Sequence, residues 1–304
     1  MAHTVFRPGA TALITGGGSG IGFAVAQLCR SHDMNLILVD IHADNLAKAH
    51  TLLGDTEKAK TLTHVMDVSE ESSWEYLRDK IVNHFPAGLD LLMLNAGTSL
   101  TPKDPGNPWG DLEYFQQTFA TNLHGVINGV YTFLPMISKA ASKAPKAIII
   151  TGSKQGITNP PGGKNPAYNA SKAALKSIAE QLAHDLRCDS VTKNVHVHLL
   201  VPGWTFTGLT GNVGPVHDDQ ASASKPKGAW LPSQVAKYMY EKMNQGKFYI
   251  ICPDDDVSEP LDKARMAWAI GDVIEGRPPL SRWDEEWKEK ASEWINKEAE
   301  SRKA

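Results

Sequence analysis

Short apolar runs alternate along the chain with longer stretches in which apolar residues recur every three or four positions. The first run is 10–15 (ATALIT), and Ile21, Ala24, Val25 and Leu28 then follow at the spacing of one helix face. Residues 35–39 (NLILV) are nearly all apolar and end at Asp40, the pattern of a parallel strand covered on both faces. The same run recurs at 64–68, 89–94, 146–151, 195–201 and 248–252, with room for a helix between each pair. Seven strands joined by helical crossovers predict an α/β fold built on a doubly wound parallel sheet. The longest crossovers, 112–138 and 167–186, read as long helices with apolar stripes, candidates for a subunit interface.

Two segments break the rhythm. Between Pro202 and Pro232 the chain carries Gly, Pro, Ser and Lys with scattered aromatics, Trp204, Phe206 and Trp230, and is expected to form a structureless lid over about 204–232. After Cys252 come Pro253 and the run Asp254, Asp255, Asp256, read as a solvated turn with a helix N-cap. A helix near 261–275 and another from Trp283 follow. Trp283, Trp287 and Trp294 are spaced 4 and 7 apart, which places them on one helix stripe that either the body of the same chain or a neighbouring subunit must cover.

Composition narrows the classes. With 41% hydrophobic and 21% charged residues among 304, 25 Gly and 18 Pro, the chain is globular and neither collagenous nor disordered. A net charge of -3 leaves no basic footprint for nucleic acid or an anionic membrane surface. Cys29, Cys188 and Cys252 are far apart and sit in apolar segments, so reduced buried thiols and a cytoplasmic location are expected. No signal peptide or membrane span is expected either, because the longest apolar stretches are five to seven residues.

The glycine-rich turn Thr15-Gly16-Gly17-Gly18-Ser19-Gly20-Ile21-Gly22 lies between the first strand and the first helix, where backbone N–H groups and a helix N-terminus suit a pyrophosphate. Its spacing is T-G-x-x-x-G-x-G on Gly16, Gly20 and Gly22. Asp40 ends the second strand, eighteen residues after Gly22, near where a carboxylate accepts from adenosine ribose hydroxyls; it can equally be a turn residue. Asp67 and Val68 would sit beside the adenine, and Asn95, Ala96 and Gly97 where the cofactor crosses the sheet edge. On a helix, Tyr168 and Lys172 share a face. A nearby ammonium and the positive ring of an oxidised nicotinamide would favour the phenolate and lower the tyrosine pKa towards neutrality.

The glycine turn, Asn95-Ala96-Gly97, the Tyr168/Lys172 pair and Pro202-Gly203 stand together in an order that resembles the classical short-chain dehydrogenase/reductase (SDR) family over about residues 8–253. The resemblance implies a Rossmann-type sheet of seven parallel strands. It implies a catalytic set of Asn122, Ser153, Tyr168 and Lys172, and a cofactor site of Gly16, Gly18, Ser19, Gly20, Ile21, Gly22, Asp40, Asp67, Val68, Asn95, Ala96, Gly97, Tyr168, Lys172, Pro202, Gly203, Thr205 and Thr207. Ser153 would bond the reacting oxygen, Asn122 would hold a proton-relay water, and Lys172 would also bond the nicotinamide ribose. Ser153 stands fifteen residues before Tyr168, two more than the family's usual spacing; Gln155 falls at that spacing but lacks the hydroxyl.

Residues 1–253 therefore read as the dinucleotide-binding and catalytic domain and 254–304 as a helical extension serving stability or assembly before chemistry. The expected activity is hydride transfer between a nicotinamide cofactor, NAD rather than NADP, and a secondary alcohol or ketone. Trp204, Phe206, Leu209 and Trp230 suggest an apolar or aromatic-lined pocket, and the family resemblance implies a homodimer or homotetramer. The rival is a nucleotide-sensing or scaffold protein that lost the reaction. His196 and His198 share a strand face without an accompanying cluster and read as strand packing rather than a metal site.

Overall fold

The computed structural model describes residues 5–138, 144–161, 165–211 and 214–303. Strands β1 (Thr11–Thr15), β2 (Asn35–Asp40), β3 (Thr61–Val65), β4 (Leu91–Leu94), β5 (Lys146–Thr151), β6 (Val195–Val201) and β7 (Tyr249–Ile251) form one parallel sheet in the order β3-β2-β1-β4-β5-β6-β7. Helices α1 (Gly20–Ser31), α2 (Ala43–Leu53), α3 (Glu71–His84), α4 (Leu112–Phe119), α5 (Gly125–Ile137), α6 (Gln155–Thr158), α7 (Pro166–Cys188), α8 (Asp218–Ser224), α9 (Pro232–Asn244), α10 (Glu259–Glu275) and α11 (Lys288–Ser301) follow the chain. Apolar residues on the two sheet faces fill separate cores, one against α1 and α9 and the other against α3, α5 and α7. Covering on both faces explains why the strands read as continuous apolar runs. The order reverses between β1 and β4, so the carboxyl ends of those strands open the crevice in which such sheets bind ligands.

Several expectations are corrected. β3 lies three residues earlier than 64–68 because it is the sheet edge: only Thr61 of its five residues is buried, so apolar density misplaces it, and Asp67 and Val68 follow the strand. The crossover 112–138 is not one helix. A π-helical turn, Ala120–His124, separates α4 from α5 and carries Asn122. The segment expected to form a lid is not structureless: a short 3₁₀ turn (Gly208–Thr210), α8 and a parallel bridge between Thr205 and Trp230 order its described residues. Phe206 is buried and Trp230 packs on Tyr238 at 5.8 Å, so only Trp204 and Leu209 of the four expected pocket residues are exposed. Of the three thiols Cys188 is exposed.

The tryptophans of the extension share no single stripe. Trp283 ends a 3₁₀ turn, Trp287 precedes α11, and Trp294 within α11 meets Trp268 of α10 at 5.6 Å. Ala264, Trp268, Ala291, Ile295 and Ala299 form a small core between α10 and α11. The acidic run is not a free turn, since Asp254 is paired and Ser258, not an aspartate of the run, caps α10. Among the described residues no helix is long and apolar enough to cross a membrane.

On β6, His198 is buried with Nδ1 facing the Lys247 carbonyl at 2.8 Å, which requires a proton on Nδ1. Burial pushes its pKa down to about 4, with His196 adding to the fall and the Lys247 carbonyl opposing it. The unfolded chain therefore takes up a proton below pH ~6.5 that the folded one refuses, and as much as about 3 kcal/mol of stability is lost as pH falls towards 4. Denaturant titrations at stepped pH should show that loss, and His198→Asn, which retains a donor near the carbonyl, should flatten it. Parallel pH slopes in both proteins would rule it out.

Candidate active site

The glycine-rich turn leaves β1 and enters α1 with Gly16 and Gly20 at positive φ. Gly22 allows no side chain, because a Cβ there would overlap the Gly16 carbonyl. Gly17 N–H donates to the Val39 carbonyl at 3.0 Å and Gly18 N–H to Asp40 Oδ2 at 3.0 Å. Asp40 Oδ1 accepts from His42 N–H at 3.1 Å, so this buried carboxylate joins the turn to the end of β2. Ser19, the N-cap of α1, makes no side-chain cap, which leaves that helix end without its usual protein acceptor, while Ile21 turns into the core. Thr207 packs its side chain within 3.2 Å of where a Gly20 Cβ would lie, bringing the chain after β6 onto the turn. A backbone cradle at a helix N-terminus beside a strand-end carboxylate fits the phosphates and ribose of a dinucleotide.

Asn95 stitches the crevice. Its N–H and that of Ala96 donate to Thr15 Oγ1 at 2.9 and 3.0 Å, its Nδ2 to the Thr15 carbonyl at 3.2 Å, and its Oδ1 accepts from Thr151 Oγ1 at 3.1 Å. Gly97 then passes between Asn122 and Lys172: a Cβ there would lie 3.2 Å from Asn122 Oδ1 and 3.5 Å from Lys172 Nζ. Asp67 accepts from Ser69 N–H and Oγ at 2.9 and 2.8 Å, and Val68 is buried under Gly125 of α5. Thr205 is buried with its hydroxyl on the Gly203 carbonyl at 3.1 Å, and Pro202-Gly203 leads from β6 into this stretch.

The structure brings Ser153, Tyr168 and Lys172 together and places Asn122 beside the lysine. The Ser153 hydroxyl stands near enough to the Tyr168 phenol to favour its ionised form. Lys172 Nζ donates to the Thr151 carbonyl at 2.8 Å and stands 5.7 Å from the Tyr168 ring centre. Burial pushes the lysine down to about 8. Burial likewise pushes the Tyr168 phenol up, with the Ser153 hydroxyl opposing, so the expected lowering is not a property of the protein groups alone. Buried Asn122 locks to the Thr98 backbone, accepting from its N–H at 2.7 Å and donating to its carbonyl at 2.9 Å. Gln155, by contrast, is exposed at the start of α6.

Two supporting residues and a cavity carry no signal that the sequence analysis used. Asn165 caps α7, its Oδ1 accepting from Tyr168 N–H at 3.4 Å and from Tyr114 Oη at 2.6 Å, while its Nδ2 donates to Ser99 Oγ at 2.6 Å. The Asn165-Pro166 pair, an N-cap followed by proline at the first helical position, was the available signal. Lys154, the residue after Ser153, pairs with Asp254 and Asp262, and nothing local announces that. A cavity of about 410 Å³ between α1 and α9 is lined by Gln27, His217, Lys237 and Tyr240 and includes none of the catalytic or cofactor-site candidates.

Residues 10–217 match the sequence profile of the family described as short chain dehydrogenase. The chain is 30% identical over 234 residues, 75% of its length and 86% of the relative's, to a rhamnolipids biosynthesis 3-oxoacyl-[acyl-carrier-protein] reductase of Pseudomonas aeruginosa. It is 26% identical over 217 residues, 71% of its length and 81% of the relative's, to an NADP-dependent (R)-specific alcohol dehydrogenase of Lentilactobacillus kefiri. A crystal structure of a short chain dehydrogenase/reductase from Burkholderia phymatum in complex with NAD superposes with a TM-score of 0.73 at 28% identity, covering 91% of this chain and 98% of that one.

Proposed function

The chain belongs to the short-chain dehydrogenase family of oxidoreductases, and from that premise we propose that it interconverts a secondary alcohol and a ketone with NAD, Tyr168 being the proton donor and acceptor. The observation that carries this is the convergence of the Ser153 hydroxyl and the buried Lys172 ammonium on Tyr168. When bound, the nicotinamide supplies or accepts the hydride. Ser153 Oγ and Tyr168 Oη together hold the substrate oxygen, and the phenol passes its proton to that oxygen in reduction and takes it back in oxidation. Lys172 supplies positive charge beside the phenol and a ribose contact. Asn122 shapes the chain beside that ammonium so that a proton can continue to solvent.

Gly16, Gly18, Ser19, Gly20, Ile21 and Gly22 would take the pyrophosphate, Asp40 the adenosine ribose, Asp67 and Val68 the adenine side, Asn95, Ala96 and Gly97 the middle of the cofactor, and Pro202, Gly203, Thr205 and Thr207 the carboxamide end. NAD is favoured because Asp40 lies against the glycine turn and no Arg or Lys occurs within Gly16 to Gly22 or directly after Asp40. The exposed Trp109, Leu112, Ile127 and Tyr131 of the α4–α5 region support a homodimer or homotetramer through those helices. The net charge and the two buried thiols accord with a cytoplasmic enzyme acting on a small molecule rather than nucleic acid.

A spectrophotometric screen with NAD and NADP against secondary alcohols and ketones tests the reading. Cofactor binding without turnover of any of them would favour the scaffold alternative. Asp40→Ala removes the ribose contact and the charge facing a 2′-phosphate, so the NAD preference should shrink by about 1–3 kcal/mol in side-by-side kcat/KM measurements. A wild-type protein that already prefers NADP would make Asp40 a structural link between β2 and the turn.

A further inference from the structure

Lys154 follows Ser153 and occupies a cluster of charges closed off from water. Its Nζ donates to Asp254 Oδ2 at 3.1 Å and forms an ion pair with Asp262, the three side chains being 16%, 6% and 4% exposed. Asp254 Oδ2 also accepts from Trp204 N–H at 3.1 Å. Gly203 threads between the charges, since a Cβ there would lie 2.6 Å from both Lys154 Nζ and Asp254 Oδ2. One ammonium thus gathers the end of β5, the chain leaving β6, the chain leaving β7 and the first turn of α10.

The remaining acidic residues extend the clamp to the far end of the lid. Asp255 N–H donates to the Gly228 carbonyl at 3.0 Å, and its carboxylate pairs with Lys225 at 2.8 Å. As a source of stability the buried cluster is a poor choice, because two carboxylates and one ammonium lose their hydration and well-packed apolar residues of similar volume often do as well or better. What the cluster does provide is directionality where the chemistry needs it. Ser153 sits on one side, its Oγ accepting from Gln155 N–H at 3.2 Å as α6 begins, and the Gly203–Thr207 stretch sits on the other.

We propose that Lys154 is a positioning residue, and that the C-terminal extension, through Asp262, sets the Ser153 hydroxyl against Tyr168 and the base of the lid against the cofactor site. The extension then completes the catalytic centre instead of only bracing the fold. This rests on the reading of Ser153 and Tyr168 given above.

The test combines steady-state kinetics with hydrogen exchange on the full chain. Lys154→Met should lower kcat by ~10- to 100-fold, because a displacement of the order of 1 Å at the reacting oxygen is costly, while the KM for cofactor rises by no more than roughly fivefold, since the glycine turn and Asp40 that would hold the cofactor's other end are untouched. Lys154→Arg, which keeps the charge, should recover most of the rate. Asp262→Asn leaves the Asp254 pair in place and serves if Lys154→Met does not fold; it should lower kcat by roughly threefold or more with a smaller change in cofactor KM. Exchange of the backbone amides at 155–158 and 204–206 should quicken about tenfold in either variant. Wild-type kcat in the variants, or unchanged exchange at those amides, overturns the proposal. A wild-type protein with no turnover overturns the functional reading itself, a result distinct from an active wild type indifferent to these substitutions.

Discussion

Replacing Tyr168 with Phe is expected to lower kcat by at least ~10²-fold while cofactor affinity stays within about twofold, because the substitution removes the proton-transfer hydroxyl and little else. The ring stands half-buried at the start of α7, where Asn165 holds the helix end, so the phenylalanine ring should sit where the tyrosine does. The pH dependence follows from the same site. Burial holds the phenol above its ordinary value and brings Lys172 down to about 8. Alcohol oxidation needs the phenolate as acceptor, so its rate should climb with pH and still be climbing at and above pH ~10; ketone reduction draws on the protonated phenol and should fall only in that upper range. Steady-state kinetics in both directions, with cofactor affinity measured separately by fluorescence, check the prediction. Wild-type kcat in Tyr168→Phe, or oxidation that slows as pH rises, would remove Tyr168 from the reaction.

Gly22→Ala should cost more in binding than in fold. The added methyl would overlap the Gly16 carbonyl and press on Asn95 Nδ2, and the backbone on either side belongs to β1 and α1, each packed into the sheet core. Relief can come only by moving the turn that forms the cradle. Cofactor affinity should fall by at least ~10-fold, and overpacking should lower stability by about 1–3 kcal/mol. Isothermal titration with NAD and a denaturation curve on the same preparation separate the two effects. Unchanged affinity would mean that the turn is structural and the nucleotide binds elsewhere.

Most of the sheet could be read from the sequence because burial on both faces writes itself as uninterrupted apolar runs: β1, β2, β5 and β6 fall where those runs fall. β3 could not be placed the same way, since an edge strand with Leu62, Thr63 and His64 half-exposed has no such run. The break at Ala120–His124 was hidden for the opposite reason, because apolar spacing continues through the π turn while the backbone slips by a residue. The glycine turn and the Tyr168/Lys172 pair are local patterns and were legible. Lys154 and Asp254 stand 100 positions apart, and no local pattern couples residues at that distance. The tryptophan spacing in the extension suited a helix, but the acidic turn Asp284-Glu285-Glu286 separates Trp283 from α11.

The hydrogen bonds that Asn95 makes to Thr15 and Thr151 also bear on how the protein reaches its working state. Asn95 and Thr15 are 80 positions apart and Asn95 and Thr151 are 56 apart. The nucleotide cradle belongs to the chain before this rung, and the proton-handling residues Ser153, Tyr168 and Lys172 to the chain after it. Contacts between such distant segments are the slow ones to form, because the intervening loop must first be closed against its entropy. A chain in which β1 and β4 have not yet paired carries every one of these residues and no active site, so reactivity arrives together with completed folding.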